Sequence, residues 1–331
     1  MIFKISIKKH WSAKVIFLIC FVFTAVLYAQ KEPQYTQYMY NIGSFNPAYV
    51  GSVESTELSG LYRAQWIDIP GAPKTIRFGA NVPFANEKTG LGFNIVNDQL
   101  GPVNQTYFDI SYSYQVNLNY NTFLSFGLDA GGASLNVDFT KGSFENPGEP
   151  ILGQGDNLSR FYPTVGAGLF IYSDQWYVGA SIPNFLTEGI YNDEVATIVE
   201  DRMQFNFIGG YVFNLNDNLK FKPAFLVNAI EGNPINVNLS ANFLIAEKFT
   251  AGASYRLENA FSALAGFQVA ANTFIGYSYD YNTNLLGEFN NGSHELIIKF
   301  TLGKGLGGKT DKAKRKELDA KPKQIDSPRF F

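Results

Sequence analysis

The chain carries almost nothing with which to do covalent or metal chemistry. It has one cysteine, Cys20, and two histidines, His10 and His294. Cys20 and His10 both fall in the first 29 residues, which read as a secretory signal. Lys4, Lys8, Lys9 and Lys14 form its basic start, residues 15–27 its apolar core, and Ala29 before Gln30 its cleavage point. Bulky Ile19 ahead of Cys20 argues against a lipoprotein signal. The core is also shorter than the roughly 20 residues a helical anchor needs. Once the signal is removed, no thiolate, disulfide or cysteine ligand remains, and His294 is the only imidazole. No serine sits in a G-x-S-x-G elbow. The expectation is a non-enzyme, with no catalytic residue, no metal and no cofactor.

Helix signals are equally scarce. There are three methionines and no helix candidate beyond residue 29, whereas Phe, Tyr and Trp make up 16% of the chain and Gly is abundant. That mix favours strands and tight turns. Positive charge is missing from the body. Loss of four signal lysines, with no acid among them, takes the net charge from −3 to −7. Residues 303–331 hold nine Lys/Arg against four Asp/Glu, a tail of +5, which leaves 30–302 near −12. Nucleic acid is excluded as a partner of such a body.

What is present is alternation. Leu58, Gly60, Tyr62, Ala64 and Trp66 oppose Ser59, Arg63 and Gln65, and Phe108, Ile110, Tyr112, Tyr114 and Val116 oppose Asp109, Ser111, Ser113 and Gln115. Ile235, Val237, Leu239, Ala241 and Phe243 oppose Asn236, Asn238, Ser240 and Asn242. In the last hairpin, His294, Leu296, Ile298, Phe300 and Leu302 alternate with Glu295, Ile297, Lys299 and Thr301. Successive strand side chains point to opposite faces, so each segment has one oily and one hydrated side. Fourteen such segments start near residues 57, 74, 90, 104, 122, 162, 175, 202, 219, 234, 248, 261, 272 and 293. Each is long enough for the roughly 9–11 residues of a tilted membrane-crossing strand.

In lipid every backbone N–H and C=O needs a partner, and without helices only a closed sheet supplies one. The expected fold is therefore all-β: a transmembrane antiparallel β-barrel of about 14 strands in a bacterial outer membrane. Long connections (136–160, 184–201, 283–291) alternate with short ones (173–175, 214–218, 246–247), with 259–260 as a short exception on the long side. Short turns belong to the periplasm, which would place both termini there. Trp66, Tyr120, Trp176, Tyr177 and Tyr211 near strand ends suit interfacial girdles. Glu57, Arg63, Arg77, Asp109, Asp129, Arg256, Asp280, Glu295 and Lys299 fall on the inner face. A lumen of this size holds water or a plug.

The expected organisation is a signal peptide over 1–29, a periplasmic or lumenal segment over 30–56, the barrel over 57–302 and a basic periplasmic tail over 303–331. The aromatic, amide-rich stretch 34–51 allows two readings. It packs on or inside the barrel, or it docks a partner, with Gln37, Tyr38, Asn46, Pro47 and Tyr49 as contacts. Arg329, Phe330 and Phe331 are the corresponding candidates in the tail. Gly303 to Thr310 fits G-x-x-x-x-G-K-[ST], but the preceding strand alternates and only 21 residues follow, so no nucleotide-binding parallel sheet fits. Gly155-Asp156-Asn157 and Asn290-Asn291-Gly292 read as turns before calcium loops.

Several stretches together resemble one family. Gln34-Tyr35-Thr36-Gln37-Tyr38-Met39-Tyr40-Asn41 and Asn46-Pro47-Ala48-Tyr49-Val50-Gly51 open the chain, followed by Tyr62-Arg63-Ala64-Gln65-Trp66 and Gly71-Ala72-Pro73-Lys74-Thr75. Gly276-Tyr277-Ser278-Tyr279-Asp280 and Gly292-Ser293-His294-Glu295 close it. In this order they are similar to the PorP/SprF family of the type IX secretion system, although 41–45 lacks a proline that the family pattern has. The resemblance implies a non-enzymatic outer-membrane component for secretion or surface anchoring of large cell-surface proteins, gliding adhesins among them. Its implied partners are outer-membrane lipid, a secreted protein with a C-terminal sorting domain, and a periplasmic peptidoglycan-binding lipoprotein or other secretion components. The alternative from the residues is a passive porin or solute transporter.

Overall fold

The computed structural model describes residues 33–86, 88–138, 158–186 and 202–304. The expected signal segment, most of connections 136–160 and 184–201, Gly155-Asp156-Asn157 and nearly all of the tail lie outside these residues.

After three 3-10 turns (Tyr38–Tyr40, Ile42–Ser44, Pro47–Tyr49) the chain is almost wholly strand. The first six strands are β1 (Ser55–Ala64), β2 (Lys74–Pro83), β3 (Thr89–Leu100), β4 (Val103–Asn119), β5 (Thr122–Val137) and β6 (Leu158–Tyr172). Then come β7 (Trp176–Ile182), β8 (Gln204–Tyr211), β9 (Phe213–Asn216), β10 (Leu219–Ile230) and β11 (Asn236–Ile245). The last four are β12 (Phe249–Arg256), β13 (Ala260–Ala270), β14 (Thr273–Asn282) and β15 (Ser293–Lys304). Segments β8 and β9 both pair with β10 and form one strand interrupted at Val212, whose N–H turns to the Gln175 carbonyl at 2.7 Å.

Every strand is antiparallel to its neighbours in sequence, and β1 pairs with β15 from Thr56↔Leu302 to Ala64↔His294. The sheet therefore closes on itself as a barrel of fourteen strands, with no free edge to leave backbone groups unpaired in lipid. The even count expected from the alternation is observed, and the predicted strand starts fall within four residues of the observed ones.

The faces sort as the alternation requires. Ile76, Phe78, Ile110, Tyr112, Leu128, Leu239 and Leu296 are exposed on the outside, while Thr75, Arg77, Ser111, Asn242 and Glu295 are buried inside. The outside is a hydrocarbon-facing belt, and the exposure of these large apolar groups is what a bilayer requires. One girdle assignment is corrected: Tyr177 faces inward and is buried against Phe170. Tyr120 and Tyr211 remain exposed near strand ends.

The short connections gather at one end: 84–88, 120–121, 173–175, 217–218, 246–248 and 271–272. The other end carries 65–73, 138–157, 183–203 and 283–292, with 101–102 a further short exception beside 257–259. At the short end, Ala246 and Glu247 both take positive φ (50° and 56°) in a two-residue turn of the type that matches strand twist. Strand β7 is the shortest crossing, seven residues, and gives way at Pro183, which has no N–H to donate. Pairing with β6 continues for one further bond, from Phe185 N–H to Val165 O at 2.8 Å.

Candidate lumenal plug site

The segment before β1 lies inside the barrel. Tyr35, Tyr38, Met39, Tyr40, Ile42, Phe45, Ala48 and Tyr49 form one apolar cluster with inward-facing Leu61, Phe170, Tyr172, Tyr177, Ile208, Leu226, Leu264 and Ile297 of the wall. A water-filled lumen would leave such groups hydrated. Here Tyr38, Ala48, Phe170 and Ile297 are 0% exposed. Burial of this apolar surface is the main term holding the segment in place.

Polar bonds fix its position. Glu295 of β15 accepts the Thr36 N–H on Oε2 at 2.9 Å and the Gln37 N–H on Oε1 at 2.8 Å. Arg63 of β1 pairs with Asp280 of β14 at 2.7 Å and with Glu295 at 3.0 Å. The Thr36 hydroxyl accepts from Arg63 at 2.9 Å and donates to Asp280 at 2.8 Å. Arg256 donates to Asn238 at 2.8 Å on the far side of the same cluster. Two guanidiniums and two carboxylates balance, as buried charges must. This ionic latch sits within three residues of the long-loop ends of β1, β14 and β15.

Farther from the latch the contacts are mainly apolar, amide and cation–π, with one further ion pair. The Tyr38 hydroxyl donates to the Ala224 carbonyl at 2.9 Å and meets Ser240 Oγ at 2.9 Å. Lys222 lies 6.0 Å from the centre of the Tyr40 ring and 5.7 Å from that of Tyr177, within cation–π reach of both. Asn46 caps the third 3-10 turn, accepting Ala48 N–H at 2.9 Å, with Pro47 at the first position of the turn. Its amide donates to Leu169 O of β6 at 2.9 Å, and Ser181 of β7 donates to Phe45 O at 2.5 Å. Glu57 takes Tyr49 OH at 3.3 Å and Lys299 at 3.4 Å near the short end.

Glycines make this approach possible. A Cβ at Gly127 would overlap the backbone of Pro47 and Ala48, one at Gly168 the Asn46 side chain, and one at Gly90 the backbone of Gly51. The wall thus offers a bare track along which the segment lies.

Of the residues singled out as contacts, Gln37, Tyr38, Asn46, Pro47 and Tyr49 are brought together in the lumen, all buried. They face the barrel's own wall. Arg329, Phe330 and Phe331 lie outside the described residues. The nine inner-face charges do point inward. What the alternation concealed is the apolar lumen wall. Its signal was present: Leu169-Phe170-Ile171-Tyr172, Phe207-Ile208, Phe225-Leu226-Val227 and Leu296-Ile297-Ile298 are apolar on both faces. His294 stands on the outer face at the start of β15, its Nδ1 2.6 Å from the Tyr277 hydroxyl. Asn290 Oδ1 accepts Gly292 N–H at 2.8 Å, the turn expected there.

The barrel is similar in structure to a Pseudomonas aeruginosa FadL homologue, at 13% identity and a TM-score of 0.44, over 82% of this chain and 95% of that one. It is also similar to the CymD monoaromatic hydrocarbon channel, at 13% identity and a TM-score of 0.47, over 81% and 93%. The KdgM porin follows at 9% identity and a TM-score of 0.35, over 74% and 99%. No curated protein matches the sequence. The family model for the type IX secretion system membrane protein PorP/SprF matches residues 27–300, which take in every part of the latch and the plug. The chain belongs to the PorP/SprF family of type IX secretion system membrane proteins.

Proposed function

We propose that this barrel is a non-catalytic, non-conducting scaffold of the secretion system. It supports the secretion or surface anchoring of a large cell-surface protein, of the kind that carries a C-terminal sorting domain, at its long-loop mouth. It engages a peptidoglycan-binding lipoprotein or another secretion component on the periplasmic side. The observation that carries this reading is the lumen. The segment's backbone is pressed onto wall glycines and tied to three strands by buried charges, which favours a fixed filling of the lumen over an open water column. A scaffold gains from it, because a filled barrel is stiff and does not leak.

In this reading Gln37, Tyr38, Asn46, Pro47 and Tyr49 serve partner binding from within, by fixing the shape of the wall. Arg329, Phe330 and Phe331 of the basic tail are the direct periplasmic contacts. The test is an affinity pull-down from detergent-solubilised outer membranes, comparing the full chain with one lacking residues 303–331. A large surface protein and periplasmic lipoproteins are expected with the full chain, and loss of the lipoproteins alone with the truncated one. Reproducible recovery of neither partner would remove the scaffold reading.

A further inference from the structure

The closing of the barrel places Ser55 and Lys304 at the same, short-turn end. That pairing says nothing about where the chain enters the lumen, because residues 33–53 precede β1 and run through the interior. From Thr36 to Tyr40 their anchors descend in order, and the chain then doubles back at Phe45, whose ring packs 5.7 Å from that of Tyr35, before it reaches Gly51. Thr36 and Gln37 are held by Glu295, Asp280 and Arg63, next to the long-loop ends of their strands. Tyr38 reaches Ala224 and Ser240 at mid-height of β10 and β11. The Tyr40 ring packs 5.0 Å from that of Phe274, the second residue of β14 from the short-turn end. Gly51 lies against Gly90, the second residue of β3 from that same end. Going the other way, Tyr35 to Asn41 are all buried, whereas Pro33 and Gln34 are only half-buried. Burial lessens above the latch.

We infer that the plug is threaded from the long-loop mouth downward, so that Pro33 and Gln34 belong to the cell-surface face of the protein. This differs from the expectation that both termini face the periplasm, which followed from strand parity alone. The carboxyl end of β15 keeps the short-turn side, and the two ends of the described chain open on opposite faces of the membrane. The outer interaction surface then includes the leading end of the plug. A partner bound at the mouth touches a segment tied directly to the ionic latch. The inference rests on the assignment of short turns to the periplasm, and not on the identity of any cargo.

The chain has one cysteine, Cys20, within the expected signal, so single-cysteine variants give a clean readout. Three variants of the full chain are expressed in cells: Gln34→Cys, Leu285→Cys in the long connection 283–292, and Asp217→Cys in the short turn 217–218. Leu285 is 83% exposed and Asp217 is exposed. Each is treated with a small membrane-impermeant maleimide before and after the outer membrane is opened. Gln34→Cys is expected to label in intact cells, in step with Leu285→Cys, while Asp217→Cys labels only after opening. Pro33→Cys, the adjacent half-buried position, is expected to repeat the result if Gln34→Cys folds poorly. Labelling at both positions 33 and 34 only after opening, or at neither stage, overturns the inference. So does labelling of Leu285→Cys only after opening, since the long connections would then not face outward.

Discussion

Glu295 satisfies two backbone N–H groups of the plug and one arm of Arg63 with a single carboxylate. Removing it leaves a buried guanidinium half-paired and two buried donors without an acceptor. Breaking one partner out of a buried ion pair costs about 3–5 kcal/mol. Glu295→Ala is therefore expected to lower the melting temperature of the barrel in detergent and to expose residues 33–53 to protease. An unchanged melting temperature would mean that the latch contributes nothing to holding the plug. The residues that meet here come from three separated stretches, Thr36-Gln37, Arg63 and Asp280 with Glu295. Their spacing in the chain gives no hint of contact, and only the closure of β15 onto β1 brings them together.

At the level of elements, the plug and the wall are matched by omission of side chains. Gly127→Ala places a methyl group into the backbone of Pro47 and Ala48, where neither partner is the free end of a side chain. Overpacking of this kind costs about 1–3 kcal/mol. Gly60 of β1 has nothing within reach of an added Cβ, and Gly60→Ala is expected to stay within about 0.5 kcal/mol of the parent. Thermal melts of the two variants side by side separate the role of the glycine track from the general effect of replacing glycine in a strand.

The strands themselves were legible in the sequence, because a lipid-facing side and a lumen-facing side impose a period of two that few other environments sustain over fourteen segments. Tyr177 was misplaced because an aromatic near a strand end suits a girdle as well as a core. The turn at Ala246–Glu247 carries neither Asn nor Gly, so its φ values had no local signal. The break at Val212 follows from pairing with Gln175, a contact that the segment's own pattern does not encode. For the stretch 34–51, composition marked an aromatic segment that needed burial. It could not say whether this barrel or another protein would bury it, since a plug and a docking peptide need the same residues.

For the molecule as a whole, one fact links fold to role: the chain fills its own barrel. The outward belt fits it to the membrane, the family membership places it in type IX secretion, and the plugged lumen is the feature on which the proposed scaffold role rests. Scaffold and pore differ in an electrical property. The most direct measurement is the conductance of the purified, full-length wild-type barrel reconstituted into a planar bilayer. The account predicts a silent membrane, with no stepwise openings under applied voltage. Steady steps of porin size from the intact protein would contradict it, because water and ions would then be passing where Tyr38, Phe170 and Arg63 are buried against one another's neighbours.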